Sequence, residues 1–148
     1  MNLPAGTSIF LLKEGQLYLS LRAATAKAYQ NCWQTPGGLV ETSEDPLAAA
    51  QRELEEETGL TTPLQLLPQL QFQKVLVEDT THYHAKYNVF IYYAVLTNQS
   101  PLNLEPHKNS DWLPVPIKDL ASYTPLIPSL QILLNLPGFS SALSSVKS

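Results

Sequence analysis

Two apolar blocks near the N-terminus, residues 7–12 (Thr-Ser-Ile-Phe-Leu-Leu) and 16–21 (Gln-Leu-Tyr-Leu-Ser-Leu), flank a Lys-Glu-Gly tripeptide ending at Gly15. The pattern predicts two strands joined by a hairpin turn. Residues 22–31 hold Ala, Thr, Lys and Gln with no apolar face and read as a loop. A short strand at residues 33–35 runs into Pro36, Gly37 and Gly38. That turn leaves backbone groups bare and close to any ligand.

A helix is predicted next. Asp45 is a good N-cap and Pro46 suits the first helical position, whose N–H would have no partner in any case. No residue breaks the helix before Thr58, and Gly59 supplies the stop. At helical spacing Leu47, Ala50 and Leu54 form the core face, while Ala49, Arg52, Glu53, Glu56 and Glu57 form the adjoining one. Gln51, Ala48 and Glu55 point to solvent.

Beyond the helix, residues 66–77 and 87–97 predict two longer strands, with residues 78–86 as the loop between them. Residues 110–115 predict a short strand carrying Trp112, residues 117–120 a turn of helix, and residues 125–134 a last helix. The Ser-rich tail, residues 140–148, is expected to fray. Strands on both sides of one acidic helix, with another helix at the end, give the α/β class: a mixed sheet between helices.

At 148 residues the chain is expected to form a single domain with a full core. The apolar fraction of 44% and charged fraction of 15% are those of a globular protein. A net charge of -4 without any Lys/Arg cluster argues against a surface for duplex nucleic acid, so an anionic substrate must be handled by metal and a few placed cations. Cys32 is the only cysteine, and neither a secretory leader nor a membrane-length apolar run is evident. These features point to the cytoplasm and away from a membrane. An exposed strand or the final apolar helix could support a homodimer.

Chemistry concentrates on the acidic helix. Glu53 and Glu57 lie one turn apart with Glu56 beside them, and the mutual repulsion of such carboxylates is relieved by a cation. Hard oxygen ligands suit Mg2+ or Mn2+, which keep waters and accept phosphate oxygens. Such an ion neutralises a diphosphate and activates a bound water to attack phosphorus. Arg52 can pair with Glu44 or Glu56, and the bare Gly37–Gly38 backbone can offer a carbonyl.

In full, the spacing is Gly38-x5-Glu44-x7-Arg52-Glu53-Leu54-x-Glu56-Glu57-x-Gly59-Leu60. Residues 38–60 thus resemble the Nudix box at every defining position, and the chain is similar in length and element order to single-domain MutT-like Nudix hydrolases. The resemblance implies an α/β/α sandwich with a central mixed β-sheet. It also implies hydrolysis of a nucleoside diphosphate linked to another group. By the same resemblance Glu53 and Glu57 are the principal metal ligands, Glu56 a further ligand or base, and Arg52 the orienting residue. Gly38 would supply a ligating carbonyl and Glu44 a supporting contact. The proton acceptor would be Glu53, with Glu56 or a loop acid, Glu78 or Glu105, as alternatives.

The box fixes the reaction more than the substrate. Arg22 resembles the basic residue that many members place near the phosphates. Trp33, Tyr83, Tyr87 and Trp112 can offer a stacking face to a base. The stretch from Asn103 to Trp112, with Asp111, resembles the segment before the last strand in triphosphate-cleaving relatives. The expected partner is therefore a small nucleotide, foremost a (deoxy)nucleoside triphosphate cleaved to monophosphate and pyrophosphate. ADP-ribose, a dinucleoside polyphosphate, an RNA cap, or binding without turnover are the competing expectations. His82, His84 and His107 lack the spacing and cysteine partners of a zinc site.

Overall fold

The computed structural model describes residues 3–83 and 85–146. Strand β1 (Ala5–Lys13) and strand β2 (Gln16–Leu21) form the predicted hairpin. β2 pairs on its other edge with β3 (Trp33–Gln34) and β7 (Leu113–Pro116). β1 runs parallel to the long β6 (Ala85–Val95), whose far edge carries β4 (Gln65–Leu66) and β5 (Lys74–Asp79). The result is one mixed seven-stranded sheet.

β1 is apolar in an unbroken run because both of its faces are covered. Ile9 and Leu11 point to one layer, where Ala50 and Leu54 of helix α1 (Pro46–Thr58) meet Leu60, Tyr92 and Trp112. Phe10 and Leu12 point to the other, where Leu130 and Leu133 of α2 (Pro128–Leu134) and Phe139 and Leu143 of α3 (Phe139–Ser144) close the larger core. The architecture is the α/β/α sandwich. Among the described residues no helix is long and apolar enough to cross a membrane.

Several expectations need correction. The strand predicted over residues 66–77 is two strands, because residues 68–72 leave the edge of β6. Ile91 accepts from Leu67 N–H at 3.1 Å and donates to the Gln73 carbonyl at 2.9 Å, and Gln73 Nε2 ties the neck to the Leu67 carbonyl. The excursion holds a 3-10 turn (Leu70–Phe72) that sends Phe72 into the core beside Phe139. Strand β5 continues to Asp79, so the expected loop is shorter. Trp112 lies just before β7 rather than within it. The predicted last helix begins at Pro128. Fraying from Ser140 is replaced by α3, held by buried Phe139 and Leu143, while residues 147–148 and the expectation for His84 lie outside the described residues. On α1 the roles of two residues are exchanged: Leu47 is 41% exposed and Ala49 fully buried.

Candidate active site

Helix α1 starts where Asp45 accepts from the N–H groups of Leu47 and Ala48, and ends where Gly59 turns left-handed at φ 78°. Between these caps the helix fixes Glu53 and Glu57 one turn apart against the glycine turn. Gly37 N–H donates to Glu57 Oε2 at 2.9 Å. The turn itself is bound to the start of β1: Ile9 N–H donates to the Pro36 carbonyl and Thr7 N–H to the Gly38 carbonyl, each at 2.8 Å.

This last contact bears on the ligating carbonyl expected of Gly38. That carbonyl is turned toward β1, where it accepts from both Thr7 N–H and Thr7 Oγ1. Its two lone pairs are therefore engaged, which argues against Gly38 as a metal ligand. Among the described residues no hydrogen bond ends on the Gly37 carbonyl.

Arg52 organises the rim. Its Nε and Nη2 grip both oxygens of Glu44 at 2.9 and 3.0 Å, and Nη1 donates to Glu53 Oε1 at 2.8 Å. A two-pronged carboxylate pair of this kind fixes direction as well as charge. The Arg52 bonds, with the Glu41 N–H, hold the Glu44 carboxyl down at about 2. Glu56 lies 3.5 Å from Arg52 with its side chain 54% exposed, so of the three acids Glu53 and Glu57 are the more buried and Glu56 stands at the rim.

Glu57 is 8% exposed, and burial pushes its carboxyl well above the usual range, with the charges of Glu53 and Glu105 adding to the shift. Burial also raises Glu53 despite its bond to Arg52.

Residues 102–112 wrap the C-terminal end of α1, whose last carbonyls have no partner within the helix. Leu102 N–H donates to the Thr58 carbonyl at 3.0 Å, and Trp112 Nε1 donates to the Glu57 carbonyl at 3.4 Å. Trp112 is 6% exposed and packs behind the helix, so it does not offer a stacking face to substrate. Asp111 is exposed, accepts from Asn103 Nδ2, and stays off the cleft. The same strap carries Glu105, bridged to Lys108 at 2.9 Å, over the acidic end.

The resulting cleft of about 510 Å³ has Glu53, Glu57 and Glu105 on one side and Arg22, Lys27, His107 and Lys108 among its remaining lining. Its size falls in the range of small-molecule sites. A smaller aromatic pocket adjoins it, bordered by Tyr29, Tyr83, Tyr87, Ile127 and Ser129; Arg22, Gln34, Gly37 and Tyr83 belong to both. Of the expected substrate contacts, Arg22, Gly37, Gly38, Tyr83 and Tyr87 line this space. Trp33 does not: it packs edge-on against Tyr123, ring centres 5.1 Å apart. Glu78 pairs with Lys86 at 3.7 Å on a separate depression.

Tyr29, Gln34 and Asp79 escaped the sequence reading. The Tyr29 hydroxyl donates to Asp79 Oδ2 and lies 2.8 Å from the Tyr87 hydroxyl, while Asp79 Oδ1 accepts from Thr81 and His82 N–H. A polar residue at the end of an apolar strand, as Asp79 is, was the one available signal.

The donor set suits a hard cation. Glu57 and Glu53 are partly desolvated acids beside one another, a combination stabilised by positive charge. Among the described residues no three His, Cys, Asp or Glu side chains form a closed cage. An ion that keeps its waters and takes phosphate oxygens needs only one or two carboxylates.

Two inward acids on a capped helix, facing a glycine turn at the edge of an α/β/α sandwich, define the class of the Nudix hydrolases, which generally use divalent metal ions. The chain belongs to this family: the NUDIX domain model matches residues 2–131. It is similar to a MutT NUDIX hydrolase from Burkholderia pseudomallei, at 25% identity over 97% of this chain and 98% of that one, TM-score 0.73. The fold is shared with a MutT protein from Methanosarcina mazei Go1 (17% identity, 99% and 97% covered, TM-score 0.74). A C. elegans Ap4A hydrolase also shares it (20% identity, 96% of each chain, TM-score 0.67). Among curated proteins, the m7GpppN-mRNA hydrolase NUDT17 of Danio rerio is 45% identical over 56 residues, 37% of this chain. That alignment spans 19% of the zebrafish protein.

Proposed function

We propose that this protein is a Mg2+-dependent pyrophosphohydrolase that cleaves nucleoside triphosphates to monophosphate and pyrophosphate. The carrying observation is the cleft itself: two desolvated acids at one end, cations along it, and an aromatic pocket opening from it through Arg22, Gln34 and Tyr83. A chain of phosphates ending in a flat ring matches that sequence of surfaces.

In this reading Glu53, Glu57 and the Gly37 carbonyl hold the metal, which when bound neutralises the phosphates and lowers the pKa of a water. Gly37 N–H and Arg52 orient the two acids, and Glu44 orients Arg52. Arg22, whose side-chain bonds among the described residues go to the neutral Ala28 and Gln34 groups, keeps its charge for a phosphate. Glu53 and Glu105 are the candidate proton acceptors, since both line the cleft.

The test is a panel of nucleoside triphosphates, ADP-ribose, a dinucleoside polyphosphate and a capped RNA with Mg2+, reading pyrophosphate and orthophosphate separately. The capped RNA belongs there because the zebrafish relative is named for that activity. Pyrophosphate from the triphosphates is the expected product. Orthophosphate as the first product, or turnover of the other compounds alone, overturns the substrate; tight binding without any turnover overturns the enzyme.

A further inference from the structure

Gln34, on β3, is 7% exposed yet borders both the acidic cleft and the aromatic pocket. Arg22 Nη1 donates to its Oε1 at 2.8 Å, and Arg22 is itself fixed by a bond from Nε to the Ala28 carbonyl at 3.0 Å. A guanidinium only donates, so the amide oxygen alone can meet it and the amide has a single orientation. Among the described residues its NH2 has no protein partner, and no side-chain nitrogen or oxygen there is both sealed from solvent and unpartnered. Nε2 is therefore accessible from the space that Gln34 borders. A nearly buried amide holds one free donor there in a fixed direction.

What that donor meets follows from where Gln34 stands between the two spaces. Glu53, Glu57 and Glu105 line the cleft and not the pocket, whereas Tyr29, Tyr87 and Ile127 line the pocket and not the cleft. A phosphate chain at the acids and a ring among the tyrosines put the part that joins them at the shared border. In a nucleotide that part is the sugar. Its exocyclic polar groups are hydroxyls, whose oxygens have lone pairs to accept an N–H. Four residues line both spaces: Arg22, Gln34, Gly37 and Tyr83. The Gly37 N–H is taken by Glu57, the Arg22 charge suits a phosphate and the half-exposed Tyr83 ring suits a base. The Gln34 amide is the neutral donor left for a hydroxyl.

We propose that Gln34 recognises the sugar of the nucleotide, its Nε2 donating to a sugar hydroxyl oxygen. The assignment rests on the nucleotide reading above. Arg22 serves it by fixing the amide. An amide that cannot flip offers only its donor, so a nucleotide without that hydroxyl leaves Nε2 with no acceptor on the ligand.

The test compares kcat/KM for ATP, 2′-deoxyATP and 3′-deoxyATP in the full chain with Mg2+. Each deoxy compound lacks one hydroxyl and keeps the base and the phosphates. In wild type, removing the hydroxyl that Gln34 holds should cost about fivefold, and removing the other should cost little. A 2′ partner shows as preference for ribose over deoxyribose, and a 3′ partner as a dependence common to both sugars. Gln34→Met keeps the length without the amide. It should bring that ratio toward one, whatever uniform change the freed Arg22 causes in all three substrates. Equal values for all three in wild type, or the same ratios in Gln34→Met, overturn the proposal. Where the variant does not fold or turn over, the Gln34 side-chain NH2 signals in nitrogen-15 NMR of wild type read the contact directly. They should shift on adding AMP and shift much less with one of its two deoxy analogues. If wild type turns over no triphosphate, the functional reading fails, and this titration judges the proposal separately. NH2 signals that respond alike to AMP, 2′-deoxyAMP and 3′-deoxyAMP overturn it.

Discussion

Gly37 adopts φ 149°, and a Cβ built there would drive into the Thr7 carbonyl, a backbone atom that cannot move aside. A Cβ at Gly38 would instead meet the Glu53 carboxylate, with its oxygens 2.7 and 2.9 Å away. The two glycines therefore fail differently when replaced. Gly37→Ala should melt well below wild type, since the turn must leave β1. Gly38→Ala should stay folded, because a side chain can give way, and lose activity as Glu53 is displaced; melting curves beside steady-state kinetics separate the two. Glu57→Gln tests the acid itself. The amide keeps the shape and can still accept from Gly37 N–H, so the fold should hold with Tm unchanged or raised, a buried charge having gone. Because even groups behind a metal ligand contribute about 10- to 100-fold, kcat should fall by more than about 100-fold. Normal turnover by this variant would sink the metal assignment.

The acidic helix was legible in the sequence down to its caps, because Asp45, Pro46 and Gly59 act through local backbone geometry. Its packing was less legible. Leu47 shares the angular position of Leu54 but sits in the first turn, and periodicity reports the side a residue faces, not how far the covering sheet extends. The strap over residues 102–112 shows the same limit at the site. Asp111 and Trp112 were expected among the substrate contacts because the stretch from Asn103 to Trp112 resembles a segment of triphosphate-cleaving relatives. What they serve is the end of α1: Trp112 satisfies the Glu57 carbonyl from behind, and only Glu105, His107, Lys108 and Asn109 reach the cleft. Nothing in a linear pattern says which carbonyls a helix end leaves open. Trp112→Phe distinguishes the two roles. The Glu57 carbonyl also accepts from Leu104 N–H, so loss of the indole bond should lower stability by only about 0.5–1.5 kcal/mol, seen in denaturant unfolding, while relative kcat/KM among nucleotides stays constant. A changed base preference would return Trp112 to the binding surface.

Across the whole molecule, the aromatic pocket depends on segments far apart in the chain. Tyr29 comes from the loop after β2, Asp79 from the end of β5 and Tyr87 from β6, and their hydroxyl and carboxyl groups join the three. Composition and spacing could not reveal this, since the partners are 50 and 58 residues apart. The linkage can be followed by pH. Burial opposes ionisation of Asp79, but the bonds from Tyr29 and from His82 and Thr81 N–H outweigh it, holding the carboxyl at about 2 against its ordinary 3.8. A folded-state pKa below the unfolded one means the stabilisation is complete above pH 3.8 and is lost as pH falls toward about 2. Glu44 shifts in the same direction, and Glu57 in the opposite one, so an acid melting curve of wild type alone mixes several groups. Comparison with Asp79→Asn isolates one of them. The variant should melt below wild type at neutral pH, and the gap should narrow between pH 3.8 and about 2 as Asp79 takes up its proton. A gap that stays constant through that window would show that the carboxylate charge is not what joins the loop to the sheet.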